Sequence, residues 1–331
     1  MEQHQVNRIF ENFHKLKALV IGDVMIDAYY WGKTERISPE APVPIVSVSH
    51  TENRLGGAAN VALNVKALGA KAILCAAVGN DLKADLLESL LDEEHLDKSG
   101  IVRLDDRVTT VKTRVISQHQ HLLRVDEEMT TPLNQSDTEQ LYQRIVKLVD
   151  EQTIDVIVFE DYDKGVITPE LIDKVVALAN DKNIPITVDP KKAQFLDYKG
   201  VTLFKPNLKE LREGLKVEIG KVDLPHLDEA VELLRKKMPF EMALITLSQH
   251  GVYIHDGKSS TIIPAHLRNI ADVSGAGDTV ISVASLCLAL DTEPEITARL
   301  ANLAGGLVCE KVGVVPVDAE LLKEEALRIS K

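Results

Sequence analysis

Aromatic residues and cysteines are scarce in this chain, and long apolar runs are missing from it. Aromatic residues make up only 4% of the 331 residues, so the core must rely on Val, Ile, Leu and Ala, which suits a parallel sheet covered by helices. The three cysteines lie far apart without CxxC spacing, which predicts buried thiols in a reducing compartment. No apolar stretch reaches the roughly 18 residues that span a bilayer, and the N-terminus lacks a signal-peptide pattern. We therefore expect a cytoplasmic protein without a membrane partner.

Basic residues are outnumbered by acidic ones. The chain has 38 Lys and Arg against 51 Asp and Glu, a formal net charge of −13. This balance argues against nucleic acid as a partner. An anionic substrate stays open, because local donors and a metal ion can outweigh the overall field.

Several common catalytic patterns are missing as well. The chain has no GxxxxGK[ST] phosphate loop, no GxGxxG after its first apolar run, and neither HExxH nor GxSxG. A P-loop nucleotide site, a dinucleotide site, a zinc protease and an α/β-hydrolase are therefore disfavoured.

Apolar runs of strand length alternate with helical periodicity along most of the chain. The strand-like runs lie at 18–21, 73–77, 156–159, 186–188 and 244–246, and the helical segments lie at 58–68, 82–91, 170–180 and 226–237. This alternation predicts a mostly parallel α/β sheet with right-handed crossovers. Ligands gather at the carboxyl ends of such strands, so the acids that follow apolar runs are candidates for a shared cleft: Asp23, Asp27, Asp161 and Asp189.

Two segments, about 29–50 and 108–126, break this rhythm. They are rich in β-formers or alternate with period two, and the first contains prolines that suit edge strands. We expect one domain over residues 1–331 with these segments inserted as a small antiparallel lid. Such a lid could close over a substrate, pair with a second copy of the chain, or do both.

The segment Gly275-Ala276-Gly277-Asp278 precedes an apolar run at 280–286 that is typical of a buried helix. A glycine-rich turn at a helix N-terminus leaves backbone N–H groups free and suits an anion such as phosphate. A carboxylate at this position repels the anion that the turn would bind. Its presence makes sense if it takes a proton from a hydroxyl while the N–H groups stabilise the charge on a transferred phosphoryl group. The alternative is an acidic helix cap. The glycine turn and a second acid, Asp272, favour catalysis.

Three earlier elements complete a pattern. Residues 55–60 open a helix with a paired-glycine turn, Asn207 and Glu210 lie three apart on one helical face, and residues 246–251 end a strand in a turn. In this order and spacing the chain resembles the ribokinase/PfkB-type carbohydrate kinases over essentially its full length. The resemblance implies a ribokinase-like three-layer α/β/α body with a small β lid, and ATP and Mg²⁺ as cofactors.

Four more segments narrow the resemblance: 22–27, 36–44, 161–165 and 189–191. They are similar to the D-glycero-β-D-manno-heptose 7-phosphate kinase branch. That resemblance implies ATP-dependent phosphorylation of the C1 hydroxyl, on the route to ADP-heptose and lipopolysaccharide core, and a homodimer paired through the lid. Many members carry a C-terminal adenylyltransferase domain. Because no His-x-Gly-His motif occurs here, we expect a stand-alone kinase.

The resemblance also assigns roles to matching residues. Asp278 is the expected catalytic base, and the anion hole comprises Gly275, Ala276 and Gly277. The sugar side comprises Asp27, Gly56, Gly57 and Asn60, and the nucleotide side comprises Asn207, Glu210, Thr246, Ser248, Gly251 and Asn302. Glu210 is expected to organise Mg²⁺ through water, and Asp272 resembles an acid that binds a K⁺-type ion in some relatives. Helix capping and tight glycine packing are the alternatives at these positions.

A substrate 7-phosphate needs cationic partners. The candidates at the cleft edge or in the lid are Lys164, Lys191, Arg114 and Arg124, although a solvated surface charge is the commoner fate of one such residue. Asp161 is expected to orient sugar hydroxyls or Lys164. Three other functions stay open: another PfkB-type kinase acting on ribose, fructose or a nucleoside, a non-catalytic sugar or nucleotide sensor, and a scaffold whose lid mediates dimerisation.

Overall fold

The structure is a computed structural model that describes residues 1–118, 120–266 and 268–330. Its helices are α1 (Gln3–Phe13), α2 (Ala58–Ala67), α3 (Leu82–Glu93), α4 (Gln135–Glu151), α5 (Pro169–Lys182), α6 (Leu208–Leu215), α7 (Leu224–Lys237), α8 (Ala276–Ala289), α9 (Pro294–Val308) and α10 (Ala319–Arg328). Its strands are β1 (Lys17–Gly22), β2 (Val24–Ile37), β3 (Pro44–Gly57), β4 (Lys71–Gly79), β5 (Asp97–Leu104), β6 (Val111–Ser117), β7 (Gln120–Glu127), β8 (Val156–Glu160), β9 (Ile186–Asp189), β10 (Val201–Phe204), β11 (Phe240–Thr246), β12 (Val252–His255) and β13 (Ser260–Ile263).

Nine strands form the main sheet, in the order β13-β12-β11-β10-β9-β8-β1-β4-β5. Every neighbouring pair from β11 to β5 is parallel, whereas β12 and β13 add to the β11 edge in antiparallel fashion. The predicted mostly parallel sheet is therefore confirmed. Among the described residues, no helix is both long and apolar enough to cross a membrane.

Successive residues of a strand point to opposite sides of the sheet, so the strongly apolar strands make both faces apolar. Helices cover both of these faces. Val156 and Val158 of β8 pack into a core with α1, α2, α3, α8, α9 and α10. Ile157 and Phe159, on the opposite face, pack into a second core with α4, α5, α6 and α7. The three-layer α/β/α architecture is confirmed.

The two segments that break the rhythm form a separate four-stranded sheet, in the order β3-β2-β6-β7. We refer to this sheet as the lid. The expectation of a purely antiparallel lid is wrong. Strands β2 and β6 pair in parallel, whereas the β2–β3 and β6–β7 pairs are antiparallel. The lid strands also extend beyond the predicted segments, so that Asp27 and Gly56 belong to the lid sheet. The single-domain organisation stays a prediction.

Gly22, at the end of β1, has no room for a side chain against β8. A Cβ atom placed there would lie 2.0 Å from the backbone oxygen of Glu160 in β8. Because that oxygen belongs to the backbone of a central strand, it cannot move aside cheaply. Only glycine allows β1 and β8 to pair at this end of the sheet.

We predict that Gly22→Ala lowers the free energy of unfolding by about 3 kcal/mol or more, since overpacking forces the two strands apart. Urea unfolding measures this change. Gly220→Ala is the matched control, because a Cβ there meets no atom within 4 Å, and its effect should stay within about 1 kcal/mol. Equal stability of the two variants would contradict the packing argument.

Candidate active site

The N-terminus of α8 forms the predicted glycine turn. Gly275 caps the helix in a left-handed conformation with φ 78°, and no side chain caps it. The N–H of Ala276 donates to the carbonyl of Val273 at 3.3 Å. The N–H groups of the following first-turn residues, Gly277 and Asp278, have no partner within the helix, so the turn can bind an anion.

Asp278 is held between two hydrogen-bond donors. The residue is 5% exposed, Asn60 Nδ2 donates to its Oδ2 at 2.7 Å, and the Tyr162 hydroxyl donates to its Oδ1 at 2.9 Å. Burial, followed by the charge of Asp189, raises the pKa of Asp278, and the Asn60 and Tyr162 hydrogen bonds oppose that rise. The structure thus joins Asn60 and Asp278, which are 218 positions apart in the chain.

The paired glycines lie against buried acids. A Cβ at Gly56 would lie 2.5 Å from Asp27 Oδ2, and one at Gly57 would lie 2.3 Å from the backbone oxygen of Asp23. Asp27 is buried and forms an ion pair with Arg114 of β6. The predicted sugar-side residues therefore converge where the lid meets α2.

Asp23 organises the loop that follows β8. Its carboxylate accepts backbone N–H groups of Tyr162 at 2.9 Å, Lys164 at 3.1 Å and Val166 at 3.1 Å. These bonds fix the loop that carries the Tyr162 hydroxyl towards Asp278. Asp23 therefore acts on the site through the backbone.

A cleft of about 550 Å³ opens beside the start of α8. The predicted nucleotide-side residues that line it are Thr246, Ser248, Gly251 and Asn302, together with Ala276 and Gly277 of the glycine turn. Ser248 has φ 53°, in the left-handed region that favours glycine.

Asn207 and Glu210 form a reciprocal cap at the start of α6. The Glu210 N–H donates to Asn207 Oδ1 at 2.9 Å, and the Asn207 N–H donates to Glu210 Oε2 at 2.8 Å. Glu210 Oε1 also accepts a hydrogen bond from Lys191 Nζ at 3.3 Å. Asn207 and Glu210 do not line the 550 Å³ cleft.

Four basic residues are candidates to bind a substrate phosphate. Three of them form ion pairs with acidic residues outside the sugar side. Lys164 Nζ pairs with Glu128 at 2.8 Å, Arg124 pairs with Asp126 at 2.9 Å, and Lys191 pairs with Glu210. Burial disfavours the charged form of Lys191. The nearby carboxylates of Asp189 and Glu210 outweigh this effect and raise the pKa of Lys191 above the ordinary range.

The expected contact between Asp161 and Lys164 does not form. Its carboxylate accepts the Tyr198 hydroxyl at 2.8 Å and the N–H of Asp163 at 2.9 Å. Burial, followed by the nearby charge of Asp23, raises the pKa of Asp161 to about 7. Since Tyr198 belongs to the core under α4–α7, the Asp161 side chain lies on the face of β8 away from α8.

Asp272 orders the loops around the glycine turn. Its Oδ1 accepts the N–H and hydroxyl of Ser274 at 3.0 and 2.9 Å, and its Oδ2 accepts the N–H of Gly313 at 2.9 Å. Burial opposes ionisation, but these donors hold the pKa of Asp272 below its usual value. Its role in binding a monovalent cation stays a prediction.

Sequence reasoning assigned no role to Tyr162, Lys205 or Glu160. Lys205 is 2% exposed and pairs with Asp189 at 2.8 Å, and a Cβ at Gly277 would lie 3.6 Å from its ammonium group. A buried lysine directly after an apolar run at 201–204 was a signal available in the sequence. Period-two alternation along β8 likewise places Glu160, rather than Asp161, on the α8 side.

Comparison with known proteins identifies the family to which the chain belongs. Residues 15–320 match the family model described as pfkB family carbohydrate kinase. The chain therefore belongs to the pfkB family of carbohydrate kinases, and it is an ATP-dependent sugar kinase.

Two similar relatives are named Bifunctional protein HldE. The chain is 37% identical to that of Geotalea uraniireducens (strain Rf4), over 98% of this chain and 66% of the relative, and 38% identical to that of Geobacter metallireducens, over 96% and 64%. The chain thus spans about two thirds of the length of these curated relatives. Phosphofructokinase-2 from Escherichia coli, solved in complex with potassium, shares the fold with a TM-score of 0.76 at 18% identity, over 95% of this chain and 98% of that one.

Proposed function

We propose that this kinase transfers the γ-phosphoryl group of ATP to the C1 hydroxyl of D-glycero-β-D-manno-heptose 7-phosphate, giving the 1,7-bisphosphate in ADP-heptose and lipopolysaccharide core biosynthesis. The observation that carries the proposal is the buried Asp278 carboxylate beside the open glycine turn. Asp278 follows Ala276 and Gly277, which line the 550 Å³ cleft, and its carboxylate accepts a hydrogen bond from Asn60 of the sugar side. The HldE relatives support heptose as the sugar.

The chain's own residues supply the chemistry of transfer. Asp278 accepts the proton of the sugar hydroxyl as that oxygen attacks the γ-phosphorus of ATP. The bond from this phosphorus to the β,γ-bridging oxygen breaks, ADP leaves with that oxygen, and the sugar oxygen becomes the new ester oxygen. The free N–H groups at Gly277 and Asp278 hold charge on the moving phosphoryl group. The Lys205 ammonium adds positive charge beside the same turn. In-line transfer of this kind depends mainly on positioning and electrostatics.

Mg²⁺ fits the chemistry of Glu210. Carboxylate oxygens suit this ion, which keeps most of its waters, and the Glu210 carboxylate is already oriented by the cap and by Lys191. Glu210 is therefore the residue that would hold Mg²⁺, through water. When bound, the ion supplies positive charge to the ATP phosphates.

The lid supplies a site for the 7-phosphate. Tyr29, Arg114 and Arg124 are cross-strand neighbours in β2, β6 and β7, so the two guanidinium groups share one face of the sheet with Asp27 and Asp126. Arg114 pairs with Asp27 and Arg124 pairs with Asp126, so each guanidinium group has a carboxylate partner and keeps further N–H donors for a second anion. We infer that the substrate phosphate is that anion.

We predict that heptose 7-phosphate gives the highest kcat/KM in a coupled assay of ADP release, against unphosphorylated heptose, fructose 6-phosphate, ribose and a nucleoside. Both heptose 7-phosphate anomers belong in the panel. Asp278→Asn should lower kcat by roughly 10²–10⁴ while substrate binding is largely kept, because only the proton acceptor is lost.

Three outcomes would contradict this proposal. A higher kcat/KM for an unphosphorylated sugar would assign the chain to another substrate of the same family. Near-normal turnover by Asp278→Asn would remove this residue from the mechanism. Calorimetric sugar binding by the wild type without ADP release would favour a sensor.

The Tyr162 hydroxyl tunes the proposed base. Its hydrogen bond favours the charged form of Asp278 and so lowers the pKa of that carboxyl group. Tyr162→Phe should therefore raise this pKa and move the acidic limb of the kcat profile to higher pH. Stopped assays across the acidic range measure the shift, with KM little changed.

Tyr253→Phe is the matched control, since the Tyr253 hydroxyl donates to Asp228 at 2.7 Å, outside the site. This control should leave the acidic limb in place. Equal profiles for wild type and Tyr162→Phe would separate Tyr162 from proton transfer.

We also propose that the chain pairs as a homodimer through the outer face of the lid. Tyr30 and Leu123 both oppose Val115, so they lie in one cross-strand row on the face opposite Asp27 and Arg114. Tyr30, Leu123 and Val125 on this face are 41%, 58% and 45% exposed. An exposed apolar row of this kind on a sheet face suits contact with a second copy.

Leu123→Asp should convert a dimer of the 36.5 kDa chain into a monomer, because the new charge is desolvated on pairing. Light scattering after size exclusion measures the mass. Leu82→Asp is the control, since Leu82 is 85% exposed at the start of α3, outside the lid. A monomeric wild type, or a dimer unaffected by Leu123→Asp, would exclude this interface.

A further inference from the structure

Two fully buried amide side chains lie one turn apart in α2, next to the start of α8. Asn60 and Asn64 are both 0% exposed. Asn60 donates to Asp278, whereas Asn64 forms no hydrogen bond with Asp278 in the part of the chain that the structure describes. Buried amide groups are almost always fully hydrogen-bonded, so the partners of Asn64 decide how it is oriented.

Every hydrogen-bonding position of the Asn64 amide is filled. Its Oδ1 accepts the backbone N–H of Val317 at 2.9 Å and the Thr279 hydroxyl at 3.1 Å. Its Nδ2 donates to the Asn60 carbonyl at 2.9 Å and to Asn60 Oδ1 at 3.3 Å. A backbone N–H can only donate, so Val317 fixes which end of the Asn64 amide is the oxygen.

The orientation of Asn64 in turn fixes that of Asn60. Because Asn64 presents N–H groups, Asn60 presents its Oδ1 to them, and its Nδ2 is left to donate to Asp278 Oδ2 at 2.7 Å. A reversed Asn60 amide would place one oxygen against the Asp278 carboxylate and one N–H against the N–H of Asn64. A polar chain therefore runs from the Val317 backbone through two amides to the carboxylate of Asp278.

Close packing of α2 against α8 keeps this chain in place. A Cβ at Gly275 would lie 3.0 Å from Asn60 Nδ2. The Ser282 hydroxyl lies 3.3 Å from the carbonyl of Val61, the residue after Asn60. The loop that carries Val317 is itself anchored, since the Gly313 N–H donates to Asp272 at 2.9 Å. The fixed donor and the two amides therefore belong to one tightly packed unit.

We propose that Asn64 is a positioning residue for phosphoryl transfer, because it orients Asn60 so that an N–H group, and not an oxygen, faces Asp278. Asn64 does not line the 550 Å³ cleft, so it acts through Asn60 and not on the nucleotide. The inference rests on the proposed role of Asp278 as the base.

Asn64 can be replaced without removing any charge that faces Asp278. The titratable groups around Asp278 come from β8, β9 and the loops after β8, β9 and β10: Glu160, Asp189, Tyr162, Lys191 and Lys205. Among the described residues, none of these groups is hydrogen-bonded to Asn64. Burial raises the pKa of Asp278 and the Asn60 hydrogen bond opposes that rise, so loss of this bond raises the pKa further.

The test replaces Asn64 by leucine, which has a similar shape but no polar atom. Asn64→Leu should lower kcat roughly tenfold with KM for ATP little changed, and it should move the acidic limb of the kcat profile to higher pH. Ser285→Ala is the matched control, since it removes a buried hydroxyl of α8 that donates to the Ile281 carbonyl at 2.6 Å. This control should keep the wild-type pH profile.

A double-mutant cycle shows whether Asn64 acts through Asn60. Asn64→Leu should have no further effect on kcat or on the pH profile when Asn60 is already alanine. Losses that multiply in the double variant would overturn the proposal and leave Asn64 a purely structural role. If Asn64→Leu does not fold, Asn64→Ala takes its place in the same cycle.

Nuclear magnetic resonance of chain labelled with ¹⁵N-asparagine gives a measurement that does not depend on turnover. The side-chain amide signal of Asn60, identified by its loss in Asn60→Ala, should titrate with Asp278 in wild type and at higher pH in Asn64→Leu. An unchanged amide titration and pH profile in Asn64→Leu would overturn this inference alone. Near-normal turnover by Asp278→Asn would instead overturn the proposed base.

Discussion

The burial of a carboxylate at the start of α8 is the constraint on which the rest of the site depends. Asp278 lies in the first turn, where the helix dipole favours an anion, but burial and Asp189 oppose its charge. The Asn60 and Tyr162 donors offset that cost, and each comes from a different part of the chain. Asn60 requires the glycine turn before α2, and Tyr162 requires the loop that Asp23 fixes. The geometry of the site therefore depends on two side-chain donors around one charged group, and on the turn and loop that position them.

Buried acidic residues near the start of α8 also explain why lysines lie there in a protein that is acidic overall. Lys205 is almost fully buried, and a buried ion pair contributes little to stability compared with an apolar pair of the same size. Its ammonium group lies near Gly277 and beside Asp189, a local positive charge that the net charge of −13 does not predict. Local placement, and not overall composition, decides which ligand the cleft favours.

Sequence alone predicted the layers of the fold well, because strand and helix periodicities differ and β1, β4, β8 and β9 are strongly apolar. It predicted less well wherever a feature depends on pairing between distant segments. The parallel β2–β6 pair is one example, since period-two alternation does not distinguish strand direction. The contact of Lys164 with Glu128 rather than Asp161 is another, because it depends on how a loop crosses the sheet edge. The position of Glu160 could have been predicted, since alternation along β8 places its side chain on the α8 side of the sheet.

The two faces of the lid carry the residues of two separate proposals, the sugar side on the inner face and the dimer interface on the outer face. Alternation along β2 places Asp27 and Tyr29 towards the site and Tyr30 outwards, so one strand contributes to both. On the inner side, Arg54 of β3 donates to the carbonyl of Val314 at 3.2 Å, in the loop that also binds Asp272 through Gly313. A shift of the lid sheet would therefore move the sugar-side acid and the loops around the glycine turn together. A partner that holds the outer face would limit that shift, so pairing and the precision of the site have a common physical basis.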